Sequence, residues 1–463
     1  MKKTFIFLSM AALLVVGAIM TSCSNDDNID NPQQPANKDN VVTLTATVSL
    51  DGGAGTRAID GTTGTKTFES GKQIAVFYED ASGNLQKAES TDFTPTGDNT
   101  KATFTVTLSN AKSGGQIRYI YPASMAKALP GSTTAYTADD DVTIDYSGIF
   151  GSQDGTLTKL ADYDLAVKDA ALSGTDLPVS VTLANPLAIC KFTFKDTGSS
   201  DITSITRLTI SDGNNAYAVA PSSLSAIYVA MKPASGNIAF TAATASKTYF
   251  KTATGTSLVA SKLYTDITVS MQELALGNVF CSDGSVYATK DAATTAGKTP
   301  VAMIAYLGND AEASPSNTAF KNGLALALED VSGKWCSQQD ATCLGTQYDD
   351  DSNKFNDLAG IANTDALVNH TGHTHDAASA ARGYNSGTHP TGTSAWFLPS
   401  AGQWNKMIDA TGLSNLGLQG GAYYWSSTEI DADYAWEFGS SDGSWYSSPK
   451  NGYEDQVRAC LAF

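Results

Sequence analysis

Ten residues, VVTLTATVSL (41–50), constrain this chain more than any others. Val42, Leu44, Ala46, Val48 and Leu50 fall on one side, and Thr43, Thr45, Thr47 and Ser49 on the other. A helix repeats its faces every 3.6 residues, so a period of two held this long predicts a half-buried β-strand with β-branched threonine on its wet face. The pattern returns in QIAVFY (Ile74, Val76, Tyr78), ATFTVTL (Ala102, Phe104, Val106, Leu108) and IRYIY (Ile117, Tyr119, Tyr121), then in ICKFTF, IYVAM, NIAF and LYTDITVSM. Clusters of Gly, Asp, Asn and Ser separate these runs. Many short strands with turn signals between them predict antiparallel β-sandwiches. The alternating region spans about 230 residues, too long for one small sandwich, so we read two, 41–182 and 183–274, breaking near DLPVS.

Beyond residue 274 the texture changes. All six tryptophans, all four histidines and four of the six cysteines lie there. FCSDGSVYA reads as a hairpin turning at Asp283–Gly284. PVAMIAYL and GLALALE read as buried strands. PSAGQWNKMI starts a helix, with Ser400 and Gln403 forming a capping box and Trp404, Met407 and Ile408 an apolar face. YYWSSTE, YAWEF and QVRACLAF read as strands. In the last of these Val457, Ala459, Leu461 and Phe463 share one face. The predicted third domain, 275–463, is therefore α+β, in a chain that is mainly β overall.

The first 23 residues, MKKTFIFLSMAALLVVGAIMTSC, have a basic start, an uncharged apolar run, then small residues and Cys23. That is the layout of a secretory signal. An ordinary signal peptide with a free cysteine, or a short membrane span, fits the same layout. Cys23 stands where a lipobox places its acylated cysteine, with Met20 in place of leucine, and we take lipidation at Cys23 as the expectation. Residues 24–40 are nearly devoid of apolar side chains and read as a disordered tether.

Charge removes some partners. The net charge is −18, with only 16% of residues charged. Nucleic acid needs a basic footprint, so it is not expected as a partner. No nucleophile elbow, phosphate loop, dinucleotide fingerprint or H-E-x-x-H motif occurs, so neither an enzyme nor a cofactor is expected. His370, His373 and His375 are spaced H-x2-H-x-H, close enough to share a zinc ion, though a flexible polar loop is the favoured reading. Asp349–Asp351 and Asp357 offer oxygens for Ca²⁺ without EF-hand spacing, and a solvated acidic loop explains them too. In an exported domain Cys336 and Cys343 are the favoured disulfide, and Cys190 reads as a buried thiol. The tryptophans read as core, or in part as a binding surface.

Several motifs occur in a telling order: the lipobox, a Thr-rich first strand, TRA at 56–58, F-x-x-G-x-x-I (Phe68, Gly71, Ile74), YPA (Tyr121–Ala123) and a closing LYTDITV. In this order residues 41–272 resemble the Bacteroidetes fimbrillin family, the FimA-like pilus subunits. Asp26–Asp27 behind Cys23 is similar to the surface-export signal of lipoproteins from that phylum. The resemblance implies an outer-membrane lipoprotein cut between Arg57 and Ala58. The cut would release the strand carrying Val42, Leu44, Ala46, Val48 and Leu50, and a strand from another pilus subunit would fill the groove. WFLPS, YYWSSTE, YAWEF and VRACLAF resemble the C-terminal domain of Lcl-type and related Fib-succ-major surface proteins, whose fold is C-type-lectin-like. That resemblance implies an extracellular recognition module for a glycan or protein. The calcium-binding E-P-N, Q-P-D and W-N-D signatures are missing. The patterned strand ending at Phe463 leaves no spare donor strand. The expectation is therefore a tip or accessory subunit at the cell surface that accepts a strand and carries an adhesive head. The alternative is a stand-alone surface lipoprotein that binds its ligand without polymerising.

Overall fold

The computed structural model describes residues 68–96, 101–130, 134–178, 180–308, 319–339 and 342–463, and the backbone of Val41–Leu50. It is mainly β and built on antiparallel sheets.

The first sandwich has two four-stranded sheets. One carries β1 (Val41–Leu50), β4 (Thr94–Thr96), β5 (Lys101–Ser109) and β8 (Ser180–Leu183), in the order β4-β5-β1-β8. The other carries β2 (Ala75–Glu79), β3 (Leu85–Glu89), β6 (Gln116–Tyr121) and β7 (Ala166–Ala171), in the order β3-β2-β6-β7. The predicted apolar faces meet between them: Ile74, Val76 and Tyr78 pack with Phe104, Val106, Leu108, Ile117 and Tyr119. Phe68 stacks edge-on against Phe93 and Tyr121. Pro95 sits in β4, an edge strand, where its missing N–H costs no ladder bond.

Seven strands form the second unit: β9 (Ala188–Asp196), β10 (Arg207–Ser211), β11 (Ala216–Val219), β12 (Ile227–Met231), β13 (Ala234–Ala243), β14 (Thr248–Leu258) and β15 (Leu263–Glu273). Their order is β11-β10-β13-β14-β15-β9-β12. The halves join at β14 and β15 by two residue pairs alone, Tyr249 with Glu273 and Phe250 with Gln272. Three strands apart in that order, Phe192 of β9 and Phe240 of β13 still meet with ring centroids 5.2 Å apart. The sheet is therefore folded over on itself as a sandwich.

Between β6 and β7 the chain makes three single-turn helices, α1 (Asp140–Thr143), α2 (Ser147–Gly151) and α3 (Leu157–Leu160). Ile149 and Leu160 of these helices, with Ile144 and Tyr146 between α1 and α2, join the core of the second unit. Gln153 locks the contact: its amide donates to the carbonyls of Ile149 and Ala230, and its oxygen accepts from Ala230 N.

The C-terminal body has two five-stranded sheets. The first holds β16 (Val279–Cys281), β17 (Val286–Tyr287), β18 (Pro300–Leu307), β19 (Gly323–Ala327) and, after five further strands, β25 (Cys460–Ala462). Those five form the second sheet: β20 (Val331–Gly333), β21 (Tyr423–Glu429), β22 (Tyr434–Gly439), β23 (Trp445–Pro449) and β24 (Asp455–Val457). Helices α4 (Lys290–Thr295), α5 (Gly360–Val368), α6 (Asp376–Arg382) and α7 (Ala401–Thr411) complete it. The hairpin at Asp283–Gly284 is present. Gly284 has φ +79°, and a Cβ there would meet Thr252 Oγ1 at 2.6 Å. The capping box at Ser400 and Gln403 is complete.

The terminal segment differs from expectation. QVRACLAF is two strands in two sheets, β24 and β25, rather than one. Arg458 sits at the crossing, its guanidinium buried and bound to Asp330 and to the carbonyls of Ala327 and Gly417. Alternation survives the break because both faces are buried. Val457, Ala459, Leu461 and Phe463 enter one core, while Cys460 and Ala462 enter another. Phe463 also meets Phe280, which meets Phe250 of β14, so the C-terminal core runs into the second unit.

Candidate functional site

The first strand lies inside its sheet. β1 pairs antiparallel with β5 along nine register positions and parallel with β8 along four. Val42 stands opposite Leu108, Leu44 opposite Val106, Ala46 opposite Phe104 and Val48 opposite Ala102, and all four β5 partners are buried. On the other side Val48 and Leu50 align with Val181 and Leu183, also buried. The predicted apolar positions thus share a sheet face with the core residues of both neighbours. Withdrawing β1 would open two facing strand edges beside an apolar floor. Each buried N–H or C=O left without a partner there would cost about 1–3 kcal/mol, so the slot needs a strand in it. Among the described residues β1 precedes every other strand of this sandwich in the chain. Cys23, Arg57 and Ala58 lie outside the described residues.

Five of the six tryptophans are core, and Trp445 is half-buried against it. Trp335, Trp396, Trp404, Trp425 and Trp436 are buried, and each indole N–H donates to a backbone carbonyl, of Ser426, Thr388, Trp425, Gly333 and Tyr348 respectively. Buried indoles satisfied in this way are packing elements. Among the described residues the exposed aromatics are tyrosines, which sequence reasoning did not single out. Tyr423, Tyr446 and Tyr453 border a cleft of about 390 Å³ on the β21–β22–β23 face. Tyr423 and Tyr446 meet edge to face at 5.4 Å. At its base Glu437 is only 4% exposed. Burial, together with the neighbouring Asp455 carboxyl, pushes the Glu437 carboxyl up to about 8, against the opposing hydrogen bond from Ser448. Asp455 is raised as well, chiefly by burial. Two like charges this close do not both ionise readily, so the pair retains a proton near neutral pH. Tyrosine faces beside a protonated carboxyl pair supply stacking surface together with hydrogen-bond donors and acceptors, which suits a polar, hydroxyl-bearing ligand.

The imidazoles whose spacing could suit a metal are close together. The His370 and His373 rings stack at 5.0 Å, and His370 meets His375 edge-on at 5.3 Å. The structure adds two residues that sequence spacing had assigned to a disulfide. Cys336 Sγ, Cys343 Sγ and a His375 nitrogen lie within 4.8 Å of one another, and both cysteines are present as thiols. The Cys336 thiol is held well below its ordinary range by the Cys343 side chain and the His375 ring beside it, and Cys343 is correspondingly pushed up. Cys190 is a buried thiol of β9.

Other candidates are structural. Asp357 accepts from Thr428, Asn363 and Ala359 N, and Asp351 pairs with Lys354. Ser426 donates to the Trp436 carbonyl inside the sheet.

No family model matches the chain, and no curated protein matches it. Among solved structures, a fimbrial protein from Bacteroides ovatus overlaps 92% of this chain and 100% of its own, at 15% identity and a TM-score of 0.36. A fimbrial assembly protein from Parabacteroides distasonis overlaps 49% of this chain and 90% of its own, at 11% identity and a TM-score of 0.27. The tip fimbrial protein Mfa3 from Porphyromonas gingivalis, truncated at its C-terminus, overlaps 46% of this chain and 81% of its own, at 8% identity and a TM-score of 0.21.

Proposed function

We propose that this protein is a cell-surface adhesin that joins a fimbrial assembly by accepting a strand, as a tip or accessory subunit. It is exported as a lipoprotein through Cys23. Cleavage between Arg57 and Ala58 frees Val41–Leu50, and a strand from a neighbouring subunit takes its place. The observation that carries this reading is the position of β1, the first strand of the body in the chain yet one bordered by strands on both sides. Main-chain ladders then supply affinity, and alternate side chains seated in the apolar slot supply specificity. The C-terminal body is the adhesive head. Its segment 460–463 is paired and buried, so it cannot serve as a loose donor strand. The tyrosine cleft presents the ligand surface, for a glycan or a protein.

The test is treatment of the surface-expressed protein with an arginine-specific protease, followed by N-terminal sequencing and intact mass. A new terminus at Ala58, abolished by Arg57→Ala, supports the reading. A lipidated chain that keeps residues 24–57 after treatment, with its body folded, sinks the strand-accepting part and leaves a tethered binding protein.

A further inference from the structure

The loops before α6 gather metal-ligating atoms in a way the adhesin reading does not use. Cys336 Sγ, Cys343 Sγ and His375 lie within 4.8 Å of one another. Tetrahedral zinc holds thiolate and imidazole donors about 3.5–4 Å apart, so these groups stand near the spacing an ion would impose. His375 has the wiring of a metal-binding imidazole. Its Nδ1 lies 3.2 Å from the Trp335 carbonyl, which accepts that proton and leaves the Nε2 lone pair directed elsewhere. Nε2 is buried and has no hydrogen-bond partner. The Nδ1 atoms of His370 and His373 are likewise buried without a partner. An unpartnered buried nitrogen costs about 1–3 kcal/mol, and a cation held by His375 and His370 would relieve two of these three.

The geometry points to a structural zinc site whose framework is Cys336, Cys343 and His375, with His370, whose ring lies 5.3 Å from that of His375, as the imidazole that completes the set and His373 stacked on it. Two thiolates balance the charge of Zn²⁺, so the closed site is neutral and tolerates burial. Mixed sulfur and nitrogen donors in a set of four favour zinc over calcium or magnesium. Glu429 presents the second cysteine by accepting from Cys343 N and Leu344 N at 2.8 and 2.9 Å. The ion would tie the loop after β20 to the loop that leads into α6. The competing fate is a Cys336–Cys343 disulfide, which would consume both thiolates.

The experiment uses the full chain purified without chelator. Elemental analysis should find about one zinc per chain, as a closed four-ligand site requires. Cobalt exchanged into the site should show thiolate-to-metal charge transfer. Cys336→Ser and His375→Ala should abolish that band, and His370→Ala should weaken binding at least ~10-fold, while His389→Ala leaves it unchanged. If a ligand variant fails to fold, alkylation of the wild type serves instead. Zinc should protect Cys336 and Cys343, and EDTA should expose them, without changing Cys190. A Cys336–Cys343 disulfide in the native protein would overturn the proposal. So would cobalt binding without a sulfur band, or alkylation that ignores EDTA.

Discussion

Raising the pH should weaken the C-terminal body through one carboxyl, and replacing that carboxyl should remove the effect. Glu437 is buried, and its carboxyl titrates near 8 rather than in the ordinary range. Between about 4.5 and 8 the folded state holds a proton that the unfolded chain has released. Stability is therefore fully present at low pH and is lost as pH rises, at up to about 1.4 kcal/mol per pH unit. By pH 7 the loss is on the order of 3 kcal/mol, because burial, and after it the neighbouring Asp455, makes the folded state keep a proton that the unfolded chain releases. Glu437→Gln keeps the shape and an acceptor for Ser448 but cannot ionise. All six tryptophans lie in this body, so their fluorescence reports its unfolding alone. Urea unfolding at half-unit steps from pH 5 to 9 should show the variant gaining on the wild type steadily up to about pH 8, then levelling. A difference between variant and wild type that stays constant across this range would refute the reasoning.

Other perturbations follow from the same packing. Lys450 and Glu429 form an ion pair with both side chains fully buried. Lys450→Met should therefore cost roughly 3–5 kcal/mol by the same fluorescence assay, and the double variant with Glu429→Gln should recover part of it. Gly392 has φ +90°, and a Cβ there would stand 2.4 Å from the Ala239 Cβ, between the C-terminal body and the second unit. Gly392→Ala should cost about 1–3 kcal/mol or more and lower the melting temperature in calorimetry. If zinc occupies the cysteine–histidine cluster, EDTA should lower that melting temperature reversibly, and added zinc should restore it.

The strands were legible because alternation is a local signal. Val106 and Tyr119 announce their face whatever they pack against. The Ser400–Gln403 capping box was legible for the same reason. The segment 123–165 was not, because one-turn helices carry no period and Tyr146 and Ile149 take their core from the second unit. Alternation also does not say which face meets solvent. Trp425 and Tyr423, two residues apart in β21, are fully buried and 45% exposed respectively. The histidine cluster was visible as H-x2-H-x-H, but its sulfur partners were not. Cys336 and Cys343 reach His375 only through the fold, and the sequence offered their short spacing as a disulfide. Glu437 and Asp455 lie 18 residues apart on β22 and β24, and no spacing rule pairs them.

Hydrogen exchange across the slot after cleavage at Arg57 tests the central claim most directly. If β1 is a removable occupant, its loss should raise amide exchange sharply in 101–109 and 180–183, the two strands it borders. Exchange in β9 to β25 should stay unchanged, and a synthetic VVTLTATVSL peptide should restore protection in both strands. Protection that persists in 101–109 after the first strand is gone, or a first sandwich that unfolds and does not recover with the peptide, would contradict the account.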